Sequence, residues 1–233
     1  MQYTHVVAIG DSFTRGDELA DCPYDYNLAK NYSHSTWPAL LAKELNVKYD
    51  ARQCVGGIGN DQISWKVIGK VSPTRFYIVN WTWFERFDYL DPETNYWKTT
   101  HPRHEENLDH FFYRNIDSDL WNLYRNLQLI HSTIEMLKYN NINFIMTCLE
   151  PKYKTQLQHI FHSNFVNTMY GQRWHKVITN LHNQVLPHII DFDGLTFLEW
   201  TKINGWKCGP NGHPLEDAHI AAAEYMLVNK HFG

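Results

Sequence analysis

Nowhere does this sequence carry an apolar run of about 18 residues, the length that a membrane-spanning helix needs. Its first apolar stretch, Thr4 to Ile9, is too short for the core of a signal peptide and has no basic segment before it. The chain is therefore expected to remain in the cytoplasm, off the membrane. Basic runs are missing as well, and a net charge of −4 argues against a dedicated nucleic-acid surface. Cysteine is sparse: Cys22, Cys54, Cys148 and Cys208 lie far apart with no CxxC pair, which points away from zinc or dithiol chemistry and towards reduced thiols in or near the core. There is no internal repeat, low-complexity tract or linker, so residues 1–233 read as one domain. Aromatic residues, in contrast, make up 15% of the chain, enough bulk to exclude global disorder.

Short apolar runs alternate with amphipathic stretches, the pattern of βαβ units around a mostly parallel sheet. Strands are predicted at Thr4–Ile9, Val47–Val55, Arg75–Trp81, Ile142–Leu149 and, briefly, Ile189–Phe192. Helices are predicted at Trp37–Leu45, where Pro38 stands in the first turn, and at Asp61–Val71, Asp117–Asn140, Trp174–Val185 and Leu215–Val228. The longest carries Leu120, Leu123, Leu127, Ile130, Ile134 and Leu137 on one stripe. From Thr82 to about Asp117 the pattern dissolves into aromatics, prolines and histidines. A segment of that length reads as a functional loop or an aromatic-rich insertion.

Chemistry concentrates where strands end. The first strand runs straight into Gly10-Asp11-Ser12, which sets a hydroxyl at the edge of the sheet where such folds bind ligands and lets turn N–H groups face an oxyanion. The sequence is not a GxSxG elbow, because position 14 is threonine. The second strand ends in Gly56-Gly57-Ile58-Gly59-Asn60, again small residues opening a helix; the missing third glycine of GxGxxG excludes the dinucleotide fingerprint. Asn211-Gly212-His213-Pro214 then places a histidine on a turn ahead of the last helix.

In chain order, these three features resemble the GDSL/SGNH hydrolase family, from Thr4 to the final helix. The phrases GDSFTRGDE, SxxWP, GGxxN and GHPxxxxH also resemble a group of such proteins encoded by large tailed phages. The resemblance implies a three-layer α/β/α, flavodoxin-like SGNH fold with Ser12 as nucleophile, Gly57 as an oxyanion-hole glycine and His213 as general base. Two positions depart from the family pattern. Where its third block has an oxyanion asparagine this chain has Thr82, with Asn80 as the alternative, and a threonine hydroxyl can donate one hydrogen bond. Three residues before His213, where the family has aspartate, stands Pro210; Asp11 and Asn211 are the candidate orienting or supporting residues, and a Ser-His dyad helped by an amide or a backbone carbonyl is the alternative.

The implied activity is hydrolysis of a small or glycan-linked ester without metal or cofactor. Asn60, Trp83 and Arg86 are the substrate-binding candidates. Arg86 is placed either to hold a ligand carboxylate or carbonyl, or to pair internally with Glu85 or Asp88. The insertion's aromatics are expected either to face a sugar or acyl group or to form a small core of their own. Two rival functions remain: a catalytically impaired relative that binds a glycan or protein partner, and an acyltransferase. The tripeptide Arg15-Gly16-Asp17 reads as a chance match to an attachment motif. The pairs His101/His104 and His159/His162 lack a third metal ligand, and Asp191 with Asp193 reads as a strand end and its turn.

Overall fold

Valine, alanine and isoleucine fill β1 (His5–Ile9), which is buried at every position but the first. A strand apolar on both faces belongs in the middle of a covered parallel sheet. In the computed structural model, which describes residues 3–22, 31–102, 107–151 and 168–229, β1 pairs in parallel with β2 (Lys48–Asp50) on one side and β3 (Arg75–Trp81) on the other. An antiparallel hairpin, β4 (Phe87–Leu90) and β5 (Trp97–Thr100), follows. With β6 (Asn143–Cys148) parallel to β3, the sheet order is β2-β1-β3-β6.

Alternation along the strands divides the core into two layers. Val7, Ile9, Tyr77, Val79, Trp81 and Met146 face α3 (Asn60–Ile68), α5 (Asp119–Tyr139) and α6 (Met169–Val185). Val6, Phe76, Ile78 and Ile145 face α2 (Trp37–Glu44), α7 (Phe197–Ile203) and α8 (Glu216–Val228). The architecture is the expected three-layer α/β/α. No helix among the described residues is long and apolar enough to cross a membrane. The four cysteines are unpaired, and three of them are buried.

Four expectations need correction. The second strand stops at Asp50 because that carboxylate accepts the Arg52 N–H (3.1 Å) and turns the chain. The fifth strand shrinks to one parallel bridge between Ile189 and Met146, since Phe192 pairs back on Leu195 through the left-handed residues Asp193 and Gly194. The 82–117 segment is more regular than predicted: besides the β4–β5 hairpin it contains α4 (Asn107–Asn115). Its aromatics divide, with Phe84 in the main core and Phe87 stacked on Phe112 (4.5 Å) beneath the hairpin. Helix α7 escaped the periodicity because it is short; its signal was a capping box, Thr196 with Glu199.

Candidate active site

The sheet order places β1 between two strands whose connections leave in opposite directions, and at such a switch point a cleft opens beyond the carboxyl ends of the strands. Gly10 leaves β1 there. A Cβ on it would stand 2.3 Å from Thr14 Oγ1, so only glycine lets the chain fold over tightly. Asp11 then caps a one-turn helix, α1 (Ser12–Arg15), by accepting the Phe13 N–H (3.1 Å). Ser12 occupies the first helical position, where the backbone N–H has no partner within the helix.

Ser12 Oγ lies 2.9 Å from His213 Nε2. His213 Nδ1 lies 2.7 Å from Glu18 Oε2. The histidine sits on a tight turn in which the Gly209 N–H donates to its carbonyl (2.8 Å) and the Gly212 N–H to that of Gly209 (2.9 Å). Phe13 packs against the imidazole with ring centres 4.8 Å apart. Glu18 takes its place because α1 ends at Gly16 (φ 85°) and the chain doubles back, with Glu18 itself in the left-handed region (φ 71°). A non-glycine residue held there is a local strain of the kind found at functional sites.

The Glu18 carboxylate is well supplied with donors: the backbone N–H of Asn211 (3.0 Å), the Asn211 side-chain amide (3.2 Å) and the backbone N–H of His213 (3.3 Å) join the imidazole. Burial favours its neutral form, but these hydrogen bonds and the adjacent imidazole outweigh burial and hold its pKa below the usual glutamate value. Gly209 crosses so close that a Cβ would come 2.6 Å from Glu18 Cδ.

The glycine loop after β2 joins this group. The Val55 N–H donates to the Gly10 carbonyl (3.2 Å). A Cβ on Gly56 would lie 3.6 Å from that of Ser12, and Gly57 has φ 78° with the His101 ring beside it. Trp83 is half-buried, its ring 5.5 Å from that of Phe13.

Other candidates sit elsewhere in the network. The Thr82 side chain is fully buried and its hydroxyl donates its one hydrogen to Asp11 Oδ2 (2.8 Å). Asp11 faces Thr82 and Arg86 rather than the histidine. Asn211 braces Glu18, with no contact to the imidazole of its own. Asn60 is buried under the site: its carbonyl accepts the Thr82 N–H (2.8 Å) and its amide donates to Asn126 (2.7 Å), which leaves no group for a ligand. Asn80 accepts from Thr147 (2.8 Å). Arg86 has an internal ion pair, with Asp11 in place of Glu85 or Asp88.

Glu18 escaped the sequence reading. A local Asp-x-x-His spacing cannot find a residue 195 positions away. Its signal was the acidic Asp17-Glu18 pair five and six residues after Ser12, beyond a glycine that turns the chain back. Arg15 and Asp17 form a bidentate pair (2.5 and 2.6 Å) with Asp17 buried, so Arg15-Gly16-Asp17 is an internal brace. Asp193 accepts from Trp200 Nε1 (3.1 Å) on its turn. His104, His159 and His162 lie outside the described residues, and no group of three metal-ligating side chains occurs among the described ones.

No family model matches this sequence, and no curated protein matches it. Solved structures do. The chain is similar to a carbohydrate esterase described for an active site with divergent catalytic and non-catalytic binding functions, at 14% identity over 98% of this chain and 68% of that one, with a TM-score of 0.52. What the two share is the fold. A lipolytic protein of the G-D-S-L family from Veillonella parvula DSM 2008 matches at 14% identity over 96% of each chain (TM-score 0.48). An acetyl xylan esterase from the rumen bacterium Butyrivibrio proteoclasticus matches at 14% identity over 98% of this chain and 63% of that one (TM-score 0.47).

Proposed function

We propose that this protein is a serine ester hydrolase of the SGNH type, with Ser12 as nucleophile, His213 as general base and Glu18 as the acid that orients the histidine. One observation carries the reading: Ser12 Oγ, the imidazole and the Glu18 carboxylate form an unbroken hydrogen-bonded relay of 2.9 and 2.7 Å at the switch point of a parallel sheet. His213 Nε2 takes the Ser12 proton as Oγ attacks the ester carbonyl, and the N–H groups of Ser12 and Gly57 receive the oxyanion. The imidazolium then protonates the departing alcohol, and water activated by the same nitrogen releases the acyl group. Glu18 stabilises the imidazolium and fixes the tautomer that leaves Nε2 free to accept.

Half-buried Trp83, next to Phe13 beside the relay, is the aromatic side chain assigned to the sugar ring of a glycan-linked ester. The likeness to a phage-encoded group rests on the four sequence phrases alone and is proposed on that basis. The engagement of the Thr82 hydroxyl with Asp11 favours a second reading, a glycan-binding protein with little turnover, because the hole then has one donor fewer. A fluorophosphonate probe separates the two. Covalent labelling at Ser12, lost in Ser12→Ala with the melting temperature nearly unchanged, is the expected result. An unlabelled wild-type protein that retains glycan affinity establishes the second reading.

A further inference from the structure

Three strand-end loops meet at the site, and one nitrogen of Arg86 reaches all of them. Its Nη1, sharing two hydrogens among three acceptors, lies within hydrogen-bond distance of Asp11 Oδ2 after β1 (3.0 Å), the Ile58 carbonyl in the glycine loop after β2 (2.9 Å) and Thr82 Oγ1 after β3 (2.8 Å). The guanidinium lies over the Trp83 ring, 4.7 Å from its centre, and the Arg86 carbonyl is held by Arg125 from α5 (2.6 Å). The Asp11 side chain has no solvent exposure and that of Arg86 has 12%.

This arrangement has an electrostatic consequence for the residue next to Asp11. A carboxylate sealed from water beside Ser12 would oppose the negative charge that develops on a substrate oxygen there, and little solvent is present to screen it. Arg86 supplies the opposite charge at hydrogen-bond distance. By holding the Ile58 carbonyl it also fixes the loop that carries Gly57. Thr82, which stands where an amide donor was expected, serves as a strut between Asp11 and Arg86.

We infer that Arg86 is a positioning residue for the oxyanion loops: it neutralises Asp11 and ties the three strand ends together, acting on the reaction without touching the reacting atoms. The inference rests on the hydrolase reading above. It calls for a variant set of R86M, D11N and D11N/R86M, in which asparagine keeps the helix cap while removing the charge. Two rates are read for each: labelling of Ser12 by a fluorophosphonate, and steady-state hydrolysis of an aryl acetate.

In R86M, kcat should fall by about 10²-fold, the scale of a lost oxyanion interaction, while KM changes by less than about threefold. Deleting the uncompensated carboxylate should then restore part of the rate, so that D11N/R86M is at least about tenfold faster than R86M yet more than about threefold slower than the wild type, a coupling that a merely structural arginine would not produce. If R86M does not fold, D11N/R86M alone decides, and a kcat within about threefold of wild type there overturns the inference. In a folded R86M, a rate near that of wild type, or a double variant no faster than R86M, overturns the inference while leaving a labelled Ser12 intact. A wild-type protein that is not labelled at Ser12 overturns the hydrolase reading, and this one with it.

Discussion

In the proposed mechanism, Glu18 and Asn211 divide a task that one aspartate before the histidine would perform. Glu18 supplies the charge and Asn211 supplies two of the donors that keep it ionised and aimed. Glu18→Gln should therefore lower kcat by about 10³–10⁴-fold, as loss of the buried carboxylate does in a serine protease, and leave KM comparatively unchanged. Introducing a carboxylate at Asn211 acts in the opposite sense to what the local motif suggests. Asn211→Asp sets a second negative charge about where Nδ2 now lies 3.2 Å from Glu18 Oε1, so the two carboxylates repel and turnover on an activated ester should fall. A rise in kcat for that variant would show that Glu18 is not the working acid. The strand-end and turn positions of Ser12, Gly57 and His213 were legible because each lies in a short local motif whose glycines and proline fix a turn. Glu18 was not, since its partnership depends on the chain reversal after α1, which only tertiary structure brings opposite the turn before α8.

Two short elements, α1 and the 209–213 turn, bring the relay together, and each depends on a particular glycine. At Gly209 the constraint is space: a methyl group would sit 2.6 Å from Glu18 Cδ and push the carboxylate off the imidazole. Gly209→Ala should cost about 10²-fold or more in kcat, because displacement of a catalytic partner by about 1 Å has that effect. Gly194 is the control. It has φ 84° with nothing within 4 Å of a built Cβ, so alanine there should cost about 1 kcal/mol of stability in a urea titration and leave kcat unchanged. Equal loss of activity in both variants would make the Gly209 effect one of stability alone. The elements themselves were unevenly legible. Long, one-faced helices such as α5 came within two residues of their observed ends, Asp119 and Tyr139. The hairpin β4–β5 did not, because its period-2 signal is short and its turn is built by Asp91, which accepts the N–H groups of Glu93 and Thr94.

Across the whole molecule, the fold was legible because three of the four parallel strands, β1, β3 and β6, are largely apolar runs, and a covered parallel sheet asks for little more. One coupling between layers was hidden. His219, on α8, is 1% exposed, accepts the Trp37 N–H of α2 through Nδ1 (3.1 Å) and packs on Phe197 of α7 (5.0 Å), so it pins the three helices on that side of the sheet. Burial lowers its pKa to about 3, against a hydrogen bond to the Pro214 backbone that raises it, with the His213 charge adding a smaller lowering. The native ring therefore stays neutral at pH values where the unfolded chain, with a histidine pKa of about 6.5, binds a proton. Between these two values the unfolded state holds more protons, so stability rises with pH across the window and falls as the pH drops from about 6.5 towards about 3. From pH 7.5 to pH 5 this one group should remove about 2 kcal/mol of unfolding free energy. Urea titrations of wild type and His219→Asn at both values test it. Asparagine is expected to lower stability at pH 7.5, through lost packing, but to shed about 2 kcal/mol less than wild type on acidification. If both proteins lose the same amount, the acid sensitivity belongs to other groups and His219 is not the residue through which pH reaches this face of the sheet.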